Sequence, residues 1–96
     1  MQNIRSRSKL KQARTFFESR QLHEAKAVCE QICMVDKINA EAWLMLGMAN
    51  KELGLMDEAI VALGNAAKLS PQSAFVQNER GLLLAQAGRN QEALGA

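Results

Sequence analysis

The chain has 96 residues, of which 48% are hydrophobic and 23% charged, with a formal net charge of +2. That length suits one small domain burying roughly 60 to 65% of its unfolded surface, and no run of about 18 apolar residues is present to cross a membrane. Lys11, Gln12 and Arg14 interrupt the basic opening before the apolar core of a secretory leader could form, so the expected location is the cytoplasm.

Apolar residues recur at helical spacing, with no sustained two-residue alternation, so helices are expected and strands are not. The expected spans are 5–19, 22–36, 40–53, 56–69, 73–87 and 90–96. A helix of that typical length runs roughly 20 Å. The first carries Arg5, Arg7, Lys9, Lys11 and Arg14 ahead of the first acid, Glu18, while the remainder of the chain is net negative. Such asymmetry attracts an acidic peptide, a phosphate-rich partner or nucleic acid, and spread round a helix it equally makes a solvated face. With one Trp, three Phe and no aromatic among residues 1–15, there is no stacking platform for single strands, and nucleic acid is not the expected partner.

In the second helix, His23 has no Ser or Cys nucleophile placed with it and reads as a cap or surface residue. Cys29 and Cys33 lie one turn apart. They lack a second ligand pair for zinc, and a disulfide inside one helix would be strained, so buried reduced thiols are expected. The third helix repeats Ala42, Leu46, Ala49 and Leu53 on one face. Asp57 is the expected N-cap of the fourth, where Asp57 and Glu58 suit the positive end of the dipole. Ser73 should cap the fifth helix and Asn90 the sixth. Gly54 and Gly88 suit left-handed residues that end helices, and Pro71 can precede a helix but not continue one. No glycine-rich phosphate loop and no nucleophile–base set is present, so neither a catalytic site nor a cofactor nor a metal is expected.

The elements repeat. Ala13, Gly47 and Gly81 are 34 residues apart, as are Ala25, Ala59 and Ala93, and Glu24, Glu58 and Glu92. A fixed period of this size marks stacked helical repeats. Antiparallel helices approach closely only where one side chain is small, and the alanines and glycines should mark those crossings. Trp43, Leu46, Leu63 and Leu69 would fill the space around them. The expected domain is 1–96, with repeats at about 6–39, 40–73 and an incomplete 74–96. A solenoid end without a cap exposes apolar surface. Leu83, Leu84, Ala93 and Leu94 are therefore the expected self-association residues, covered by a following segment of a longer protein or by a second copy.

Trp43, Leu46, Gly47, Ala59, Leu63, Ala66 and Pro71 together resemble the tetratricopeptide-repeat (TPR) pattern. The resemblance spans the chain from about residue 6 onward. Departures are Asn50 in place of an aromatic, Lys9, Gln12, Gln77 and Arg80 at sites usually apolar, and Lys37 where the first unit would have proline. It implies an all-α, right-handed superhelical solenoid of antiparallel helix pairs, about two and a half repeats long. It also implies a concave groove for a peptide or helix, lined by the first helix of each unit. The groove residues would be Arg7, Leu10, Lys11, Arg14 and Phe17, then Leu44, Met45, Met48 and Lys51, then Phe75, Asn78 and Leu82. Flexible methionines would adapt to an irregular apolar ligand, although helix packing accounts for Met45 and Met48 equally well. Members that clamp chaperone carboxylates use Lys, Arg and Asn at positions matching Leu10, Arg14, Met45, Phe75 and Glu79 here, so that ligand is not expected. Three functions follow: a non-catalytic protein-binding module, an accessory segment of a bacterial sulfotransferase or glycosyltransferase, or a homo-oligomerising assembly unit.

Overall fold

A computed structural model describes the backbone of residues 4–95 and the side chains of residues 7–88. Five helices follow one another: α1 Ile4–Glu18, α2 Leu22–Val35, α3 Ala40–Glu52, α4 Met56–Leu69 and α5 Ala74–Gly95. Among the described residues there is no strand, and no helix is long and apolar enough to cross a membrane. Each helix packs chiefly on its neighbours in sequence, with α1 also touching α3, so the core is a line of contacts inside a body of 49 × 29 × 20 Å.

The period is visible in the backbone joints. At the end of α1, the Gln21 amide donates to the Phe16 carbonyl at 2.8 Å and the Arg20 amide to Phe17 at 3.1 Å. At the end of α3, the Leu55 amide donates to Asn50 at 2.8 Å and the Gly54 amide to Lys51 at 3.1 Å. Both pairs satisfy the last carbonyls through a left-handed residue. That residue is Gly54 at φ 80 in one joint and Arg20 at φ 63 in the other. The links between units repeat too: Asn39 accepts from the Ala42 amide at 3.1 Å and Ser73 from Val76 at 3.3 Å, each capping the helix it precedes. Asp57 makes no cap, because α4 begins one residue earlier, at Met56.

The third unit departs from the sequence expectation. No turn forms at Gly88: α5 continues through it and through Asn90 as one helix of 22 residues. A glycine within a helix costs only about 1 kcal/mol, so α5 can run through Gly88 without a break.

Apolar packing holds the units together. Leu10, Ala13, Cys29, Ile32 and Leu46 join α1, α2 and α3. Ala59 and Leu63 of α4 meet Leu83 of α5, and Ala66 and Ala67 meet Val76. Leu44 packs against both of the latter groups and Trp43 against the first and the last, so α3 is the spine that the other helices share.

Candidate functional site

The first helices of the units, α1, α3 and α5, are tied edge to edge by charge. Arg14 of α1 pairs with Glu41 of α3, and Lys51 of α3 donates to Glu79 of α5 at 3.2 Å. Both basic residues were expected to meet a ligand; each is instead committed to a neighbouring helix. Arg7 and Lys11 stand exposed on α1 without an ion pair among the described residues.

The apolar candidates divide into two groups. Leu10 is only 5% exposed and belongs to the core with Ile32 and Leu46, so it offers no surface to a ligand. Met45 is half-buried against that same core, and half-buried Leu44 wedges between α4 and α5. Phe17 is half-buried at the end of α1. Met48 is half-buried and packs on none of the three apolar groups. Phe75 and Leu82 of α5 are 55% and 56% exposed, and Asn78 is exposed beside them. Phe75, Glu79 and Leu82 follow helical spacing along one stripe, and the Lys51 contact turns that stripe toward α3. The most exposed apolar side chains on this side are therefore Phe75 and Leu82 of α5, with half-buried Met45 and Met48 on α3.

Leu83 is corrected more sharply. It is 1% exposed, packed on Ala59 and Leu63, because α5 turns that position toward α4. Leu84 is exposed as expected. Ala93 and Leu94 lie outside the residues whose side chains are described. Gly81, predicted to mark a crossing, has open space around it.

Burial raises the Cys29 and Cys33 thiols from an ordinary value near 9 to about 12, reinforced by their neighbouring charges. Both are free thiols, uncharged at neutral pH and unsuited to nucleophilic work. Among the described residues no group of three His, Cys, Asp or Glu side chains converges to hold a metal.

The other side of α3 carries a feature that sequence spacing does not reveal. There a cleft of about 850 Å³ opens between α2 and α4, walled by Cys33, Met34 and Leu69 and floored by Trp43 and Leu46. The signal was present in the sequence as Met34 and Leu69, large apolar residues near the ends of two helices.

A family model described as tetratricopeptide repeat matches residues 10–74. The fold resembles an Arabidopsis OM64 TPR domain with a TM-score of 0.78 and 27% identity, covering 81% of this chain and 64% of that one. It also resembles the C-terminal TPR-containing domain of a Plasmodium falciparum FK506-binding protein, at 0.79 and 25%, covering 88% and 56%. The Yersinia enterocolitica type III secretion translocator chaperone SycD matches at 0.84 with 21% identity over 96% of this chain and 70% of that one, a likeness of fold alone. This chain thus spans less than two thirds of the first two structures. No curated protein matches.

Proposed function

Since the chain belongs to the tetratricopeptide-repeat family, we propose that it is a non-catalytic protein-interaction module that takes a peptide or helix across α1, α3 and α5. The observation that carries this reading is the exposure of Phe75 and Leu82 on the stripe whose Glu79 meets Lys51 of α3. Large apolar side chains left in water at helical spacing are the anchors a partner buries. Arg7 and Lys11 at the α1 edge, without an ion pair among the described residues, favour partners with acidic character. The reading applies equally to a cytoplasmic protein of this length and to an accessory segment of a larger one, an enzyme included.

The test selects peptides from a random display library on the wild-type chain and measures them against Phe75→Glu and Leu82→Glu. Both sites are exposed, so circular dichroism should be unchanged while peptide binding is lost. Selected peptides that all bind these variants as tightly as wild type overturn the assignment.

A second reading, association with another copy through α5, is supported by exposed Leu84 and by the empty space beside Gly81. It expects a dimer in sedimentation at micromolar concentration; a monomer there removes it.

A further inference from the structure

The cleft behind α3 is part of a longer trough. A second hollow of about 400 Å³ shares Glu30, Trp43 and Leu46 with it and extends toward Asn50. The walls are α2, along Lys26, Glu30 and Cys33, with Lys37 in the turn that follows it, and α4, along Glu58, Val61, Asn65 and Lys68. The floor is one face of α3: Trp43, Leu46 and Asn50 at helical spacing. From residue 57 to 69 the α4 wall runs roughly 18 Å, the reach of about five or six extended residues.

Three observations define what the trough would hold. Its middle is apolar and preformed, because the Trp43 indole is fixed by donating from Nε1 to the Lys37 carbonyl at 2.9 Å. Met34 beside it is 75% exposed, and the neighbouring Val35 and Ile38 are also left in water. At the lower mouth Lys37 and Lys68 are exposed with no ion pair among the described residues, against the single acid Glu30. At the upper end, beneath the Lys26–Glu58 pair, buried Asn50 carries an Oδ1 with no hydrogen-bond donor. A buried acceptor in that condition is costly until a donor reaches it.

We propose that this trough is a second binding surface, on the opposite side of α3 from the first, for a short extended peptide segment of a partner. That segment carries a large apolar side chain seated on Trp43 and Leu46. A carboxylate beside it meets Lys37 and Lys68, and the segment continues toward Asn50. The extended form follows from the length of the trough and from Lys37 and Lys68, which carry no ion pair among the described residues, at its lower mouth, and the surface lies on the other side of α3 from Met48, Phe75 and Leu82.

The same display library tests it, read through the emission of Trp43, the one tryptophan in the chain. A subset of selected peptides should pair a bulky apolar residue with Asp or Glu and shift Trp43 emission. That subset should bind Phe75→Glu normally and weaken about tenfold or more against each of Met34→Glu and Lys68→Glu. Both positions are exposed, and circular dichroism and the melting temperature confirm that the variants fold. The proposal fails if every selected peptide binds Met34→Glu and Lys68→Glu as wild type does. It fails equally if peptides sensitive to Met34→Glu ignore Lys68→Glu and lack acidic residues.

Discussion

An added Cβ at Gly47 would stand 2.7 Å from Cγ of Leu63 and 3.3 Å from its backbone nitrogen, while one at Gly81 would meet nothing within 4 Å. The two glycines occupy the same place in the 34-residue register, yet only one is required by packing. Gly47→Ala should destabilise the protein by about 1 to 3 kcal/mol, since Leu63 is fully buried and can yield only by distorting the α3–α4 crossing. Gly81→Ala should raise stability by about 0.5 to 1 kcal/mol, because alanine simply suits an open helix interior better. Urea titration of both variants checks the contrast; equal effects would contradict the open face of α5. Asn50 shows the converse, a residue whose place in the repeat asks for bulk and whose amide oxygen is left unpartnered.

At the scale of helices, α2 keeps two thiols uncharged within its buried face, and that has a pH signature. Their folded values near 12 lie above the ordinary value near 9, so the stabilisation is fully present below pH 9 and is lost as pH rises from 9 toward 12. The slope amounts to up to about 1.4 kcal/mol per pH unit per thiol. Urea midpoints between pH 8 and 11 should fall more steeply for wild type than for the Cys29→Ala, Cys33→Ala double variant, and parallel curves would refute it. Helices α1 to α4 were legible because each pairs a 3.6-residue apolar stripe with a left-handed or polar residue at its end. Gly88 misled because glycine permits a turn without compelling one; at Gly54 the returning helix α4 packs on α3, and at Gly88 no described helix returns. Burial was the harder quantity. Leu10 was expected in the groove and Leu83 on the exposed apolar end, but packing against Ile32 and Leu46 and against Ala59 and Leu63 buries them. The trough behind α3 escaped notice because its walls come from two helices that only the third dimension sets side by side.

For the whole molecule, apolar packing joins helices both within and between units, and ion pairs are added to the contacts between units. Within the second unit, α3 and α4 close on Gly47, Leu46, Ala62 and Leu63, with no charge at the crossing. The described ion pairs Arg14–Glu41, Arg20–Glu52, Lys26–Glu58 and Lys51–Glu79 each join one unit to the next. Exposed pairs are worth under about 1 kcal/mol apiece and weaken as salt shortens the screening length. Salt should therefore act on how the units are stacked before it acts on whether they fold. Small-angle scattering should give a radius of gyration that grows between low and high salt from a Cα value of 13.7 Å, with circular dichroism unchanged; a constant radius would show that apolar contacts alone set the stacking. On that expectation the charged ties adjust a stacking that the apolar contacts hold together, and added electrolyte weakens the adjustment. Because the ties lie along both the α1–α3–α5 face and the α2–α4 face, a change of electrolyte should reach both faces at once.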